Sequence, residues 1–140
     1  MKKVLLAIDL VHQEGWDASI EHAVMLARTP GAELHVLTVI PDYGMAIVGS
    51  YFPTDYSETA IKETEAVLDT FIAEHFPDDV TPAAHVRHGT IYKVITGVAD
   101  QLGVDMIVMA SHRPEMKDYL LGPNVARVVR HARQSVTVIR

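Results

Sequence analysis

The sequence predicts an α/β fold, a single open parallel sheet with helices on both faces, and three observations support it. Apolar runs recur at residues 3–9, 33–40, 106–109 and 135–140, with a less apolar one at 82–88. Four stretches with apolar residues at helical spacing, near 16–27, 54–75, 91–102 and 125–132, alternate with them. Gly, Pro and Asp cluster at most of the junctions. Short runs that are apolar throughout suit strands buried on both faces, and strand–helix alternation implies βαβ units with right-handed crossovers. At 140 residues and 49% hydrophobic, the chain reads as one domain, residues 1–140, with enough material for a full core.

The first run, KVLLAID at 3–9, has the character of a central strand that delivers Asp9 to its carboxyl end. A polar loop follows to Gly15. From Trp16, Ile20, Ala23, Val24 and Ala27 mark an amphipathic helix that stops before Pro30-Gly31, with Asp17 complementing the dipole in its first turn. The second strand, ELHVLTVI at 33–40, is ended by Pro41. Residues 42–55 are too long for a simple connection and carry Tyr43, Tyr51 and Phe52, which suits either a lid or subunit contact or a self-packed surface loop.

The second helix is expected from about Thr54 to His75. Ile61, Leu68, Phe71 and Ile72 form its apolar face, and Glu58, Glu63, Glu65 and Asp69 lie largely on the other. Pro77-Asp78-Asp79 breaks it, and PAAHVRH at 82–88 is the third strand. Thr90 is placed to N-cap a third helix with Ile91, Val94, Ile95 and Val98 on one stripe, ending near Leu102-Gly103. The fourth strand follows. Residues 125, 128, 129 and 132 then define one face of a fourth helix, and Ser135–Arg140 is a short last strand with an apolar edge.

Composition narrows the function classes. A net charge of −6 without a dense Lys/Arg block argues against non-specific nucleic-acid binding, which depends on neutralising phosphates. With no cysteine there is neither a disulfide framework nor thiol chemistry, as fits a reducing compartment. The N-terminal apolar run is interrupted by Asp9 after five residues and lacks a small-residue cleavage site, so it reads as a strand and not as a signal peptide. No segment approaches the roughly 20 apolar residues that span a bilayer. A soluble cytoplasmic protein with no membrane association is the expectation.

The stretch most suggestive of a site is 104–125, VDMIVMASHRPEMKDYLLGPNV, which reads as strand, loop and helix start. In open parallel sheets ligands bind where loops leave the carboxyl ends of strands, and a helix N-terminus offers free N–H groups and positive dipole to an anion. Here ASHR, PEMKDYLL, GPN and SVTVIR resemble the motif of the universal stress proteins: Gly-x-x-Gly, nine residues, Gly-Ser/Thr, an apolar helix and a short last strand. The likeness covers essentially the whole chain, and ASHRP with YLLG and VVRHA looks most like the branch of universal stress protein F.

That resemblance implies a Rossmann-like fold of the adenine nucleotide alpha hydrolase type, with strand order 3-2-1-4-5. It also implies binding of ATP or AMP, with Mg²⁺ as an accompanying ion, and a homodimer formed through the last strand at 135–139. Residue by residue, Asp9 and Val39 fall at the base, Gly89 beside the loop, and Met109, Ser111, His112, Arg113, Gly122, Pro123 and Asn124 around the phosphates and ribose. The departures are informative. Ala110 and Arg113 stand where the general motif has glycines, the spacer has eight residues, and Pro123 replaces Ser/Thr. Proline brings neither N–H nor hydroxyl to a phosphate, though it suits the first position of a helix. Arg113 can supply bidentate guanidinium contacts in exchange.

Other constellations carry less. Eight histidines invite a metal site, but His85 and His88 point to opposite faces of a strand, and His12, His22, His35 and His75 lie on separate elements. There is no Gly-x-Ser-x-Gly elbow, no P-loop and no Gly-x-Gly-x-x-Gly after the first strand, and Ser111 has no evident base. Two readings therefore stand: a nucleotide-binding regulatory dimer with at most slow ATP hydrolysis, and a dimeric interaction module that has lost the nucleotide.

Overall fold

The computed structural model describes residues 3–10, 16–41, 55–111 and 123–140. In chain order these form β1 (Lys3–Ala7), α1 (Trp16–Ala27), β2 (Glu33–Pro41), α2 (Asp55–His75), β3 (Ala83–Gly89), α3 (Ile91–Leu102), β4 (Met106–Ala110), α4 (Pro123–His131) and β5 (Ser135–Ile139). All four strand pairs are parallel, in the order β3-β2-β1-β4-β5. The expected fold class, strand order and element sequence are those observed. The 42–54 segment lies outside the described residues.

Alternation along each strand divides the core into two layers. Val4, Leu6, Val36, Val86 and Val108 point to the face covered by α1 and α2, where they meet Ile20, Val24, Leu68 and Phe71. Leu5, Leu37, Ile107 and Met109 point to the opposite face, against Ile95, Val98 and Ala99 of α3 and Val125 and Val128 of α4. Val4, Leu5 and Leu6 are wholly buried, which explains why the first run is apolar at consecutive positions. On α2 the charged face at Glu58, Glu63, Glu65 and Asp69 is exposed, as its spacing requires.

Three local expectations are corrected. β1 ends at Ala7, not at Asp9; pairing persists one residue further because the Ile8 N–H donates to the Leu37 carbonyl (2.9 Å), and Asp9 is left exposed beyond it. Thr90 occupies the cap position of α3 in extended conformation, but its hydroxyl makes no capping bond. Its backbone carbonyl accepts the Val94 N–H instead (2.9 Å). Val129 is 45% exposed, so α4 buries only the narrower stripe at 125 and 128, with Ala132 partly covered; a nine-residue helix at the sheet margin has no layer above it to receive a wider face.

Gly89 has a structural reason to be glycine. Its φ is +146°, a region side chains disfavour, and a Cβ there would lie 2.9 Å from Val94 Cγ2. The turn from β3 into α3 thus brings backbone directly against the helix. Gly89→Ala is expected to cost about 1–2 kcal/mol from backbone strain and the Val94 contact, read as a lower urea midpoint with unchanged slope. An unchanged midpoint would show that the turn relaxes without penalty.

Candidate functional site

The strand order reverses direction between β1 and β4, so a crevice opens at their carboxyl ends. In register, Ala7 of β1 is level with Leu37 of β2 on one side and Met109 of β4 on the other. Two residues further along, the three chains carry Asp9, Val39 and Ser111. Neighbouring strands lie about 4.8 Å apart, which puts Val39 and Ser111 roughly 10 Å apart with Asp9 between them. Val39 shares the face of α3 and α4, where it and Ala7 pack against the buried cluster that includes Met109.

Each member of this row is held by something identifiable. The buried Thr38 hydroxyl donates to the Ile8 carbonyl (2.9 Å), fastening the end of β1 to β2. The Trp16 indole N–H donates to the Asp9 carbonyl (2.7 Å), while its ring meets Phe71 edge-on at 4.6 Å between centroids. The two hydrogen bonds use the Ile8 and Asp9 carbonyls and fix where the exposed Asp9 side chain starts. Ser111 is held by its N–H, which donates to the Ile139 carbonyl (2.9 Å) and extends the β4–β5 ladder by one step. That amide is therefore engaged, and Ser111 offers a ligand its hydroxyl.

Met109 sits one row below, 6% exposed, and so forms the floor of the crevice and not its rim. The N-terminus of α4 faces the same edge, because the helix runs back antiparallel to β4 after the crossover. It begins at Pro123, exposed at the first helical position, followed by half-buried Asn124. The first free backbone donors of α4 are thus those of Asn124 and Val125. Gly89 is level with Pro41, one row above Val39. His112, Arg113 and Gly122 lie outside the described residues.

Two features escaped the sequence reading. Arg87 is the register partner of Val39 and exposed, which places a cation at the β3 end of the row; Arg140 follows Ile139 at the β5 end. Neither is visible without the strand register. His88 is the second. Its Nε2 is buried without a hydrogen-bond partner among the described residues, at the carboxyl end of β3. Its place beside Gly89 was the available signal. Among the described residues no three histidine or carboxylate groups are arranged to hold a metal.

Residues 1–140 match the model of the universal stress protein family. Universal stress protein G of Shigella flexneri is 32% identical over 143 aligned residues, covering 99% of both chains. The solved structure of hypothetical protein MJ0577 superposes with a TM-score of 0.79 at 23% identity, covering 99% of this chain and 94% of that one. A universal stress protein solved in complex with cAMP gives a TM-score of 0.66 at 18% identity, covering 99% and 96%. These likenesses carry the family and the fold; they do not reach the finer F-branch assignment.

Proposed function

The chain belongs to the universal stress protein family, and from that premise we propose that it is an adenine-nucleotide-binding regulatory protein whose bound ATP or AMP biases its conformation or assembly. The carrying observation is that Asp9, Val39 and Ser111 each follow by two residues the register-matched Ala7, Leu37 and Met109 at the switch point, on the edge from which α4 starts. In this reading the Asp9 carboxylate accepts from the base, Val39 packs on it, and Gly89 allows its approach. Ser111, His112, Arg113, Gly122, Pro123 and Asn124 surround the sugar and phosphates. That a relative of the same fold was solved with cAMP supports a nucleotide as the ligand class. Mg²⁺ would accompany ATP through its phosphates, and in this reading any hydrolysis is slow and secondary to binding.

We read residues 1–140 as one universal stress protein domain, cytoplasmic and homodimeric through β5. Among the described residues no helix is long and apolar enough to cross a membrane. A second reading, the interaction module without nucleotide, is favoured by two particular facts: Pro123 lacks an N–H at the helix start, and the Ser111 N–H is already donated to Ile139. Mass spectrometry of nucleotide co-purifying with the native protein separates the two readings. Calorimetry on Pro123→Ser sharpens the result. A restored N–H and hydroxyl should tighten ATP roughly tenfold, since a hydrogen bond to a charged group contributes about 1.5–3 kcal/mol before ordering costs. If neither protein binds ATP or AMP at millimolar concentration, the interaction module is the better account.

A further inference from the structure

At the amino-terminal end of the sheet, away from the crevice, His35 of β2 and His85 of β3 meet nitrogen to nitrogen. His35 Nδ1 is 2.9 Å from His85 Nε2, and the ring centroids are 5.1 Å apart with planes inclined by 29°. The centroid separation exceeds the nitrogen separation by roughly two ring radii. The rings therefore meet head-on, as an N–H···N hydrogen bond requires, and do not lie one above the other. On the far side of His35, Nε2 faces the Glu33 carboxylate at 3.4 Å, and Glu33 is 4.0 Å from Lys3 Nζ. The His35 side chain is only 13% exposed. The sequence placed these histidines on separate elements; parallel pairing of β2 and β3 brings them together.

From this arrangement we infer that Glu33, His35 and His85 form a proton-counting clasp that fastens the edge strand β3 to β2 at neutral pH and releases it in acid. The bond needs one nitrogen protonated and the other bare. A neutral pair satisfies it. The contacts also leave room for N–H on both His35 nitrogens, Nε2–H donating to Glu33 and Nδ1–H to the bare Nε2 of His85. A second proton, on His85, sets two N–H groups against each other at hydrogen-bond distance and removes the bond. Protonation of His85 is therefore the event that opens the clasp.

The surroundings act in the same direction. Burial, the charge of His35 and the charge of Arg87 all hold the His85 imidazole below its ordinary range. The charged groups around the pair are Glu33 from β2, Lys3 from β1 and Arg87 from β3. The helix α3 packs on this face through Ile95, Val98 and Ala99, and its Lys93 and Asp100 are exposed. Arg28 and Asp79 line the neighbouring cavity, of about 470 Å³, but are bonded to each other at 3.1 and 3.2 Å. Asp79 is held below the usual carboxylate range by the Arg28 hydrogen bond, so its carboxylate stays ionised through the window that matters.

The sign follows from the lowered folded value. The stabilisation from keeping His85 neutral is complete above the unfolded histidine pKa of about 6.5 and is lost as pH falls through the lower folded value. β3 is an edge strand held on one side only by β2, and its far end forms the turn at Gly89. Loss of the clasp therefore loosens the strand that leads into α3.

The test is an imidazole ¹⁵N titration of the full chain from pH 8 to 4.5, together with amide exchange corrected for intrinsic rates. The His85 midpoint should lie below 6.5 and rise in His35→Gln. Amides of residues 84–88 should exchange at least roughly tenfold faster at pH 5 than at pH 7, relative to those of β1. This acceleration should disappear in His85→Gln, which cannot acquire the charge. If that variant fails to fold, the His35→Gln shift and the wild-type exchange decide. A His85 midpoint at 6.5 that ignores His35→Gln, or β3 amides that follow β1, overturns the inference.

Discussion

Proline in place of Val138 is expected to convert a dimer into a monomer in sedimentation equilibrium while leaving the domain folded. The Ile139 carbonyl accepts the Ser111 N–H, so Ser135, Thr137 and Ile139 turn their backbone groups toward β4. A parallel strand directs both groups of a residue to one side, and Val136 and Val138 therefore present theirs to the open edge. That edge is outermost in the sheet. An unpaired edge is a template for a second strand, and pairing about a two-fold axis uses the same residues from both copies. One substitution then removes two bonds per dimer. At about 0.5–1.5 kcal/mol each, and with the ring obstructing approach, dimerisation should weaken at least tenfold. Thr137→Pro is the contrasting variant, since it breaks the β4 ladder and should lower Tm instead. A Val138→Pro protein as dimeric as wild type, or a wild type that is monomeric throughout, would reject β5 as the interface.

The fold was legible because its signals are local. Consecutive apolar residues at 4–6 and 107–109 are what a strand covered on both faces requires, and they are buried as expected. The strand order came from the resemblance, since periodicity carries no information about which strands are neighbours. The site was legible to the same depth. Asp9, Val39 and Ser111 were each named one by one, but the level pairing of Ala7, Leu37 and Met109 that precedes them is a property of register, and so is the presence of Arg87 beside Val39. The engaged Ser111 amide and the His35–His85 contact were invisible for that reason. Both are made by atoms about 28 and 50 residues apart in the chain, where spacing rules do not apply.

Asp9→Ala should weaken adenine-nucleotide binding by roughly tenfold to a hundredfold and leave the fold intact. The side chain is exposed beyond β1, so its removal opens no cavity. Two contacts in this turn, from Trp16 Nε1 to the Asp9 carbonyl and from the Thr38 hydroxyl to the Ile8 carbonyl, use backbone acceptors that alanine keeps. What alanine lacks is a charged acceptor between Val39 and Ser111, and a hydrogen bond to such a group contributes about 1.5–3 kcal/mol. Asp78→Ala is the control, because it removes the same charge from an exposed turn before β3. Calorimetry with ATP and AMP should give a loss for Asp9→Ala alone, with thermal unfolding of both variants close to wild type. Equal losses for the two would mean that net charge and not position matters. Unchanged affinity in Asp9→Ala would place the base elsewhere and leave the row at the switch point without its assigned role.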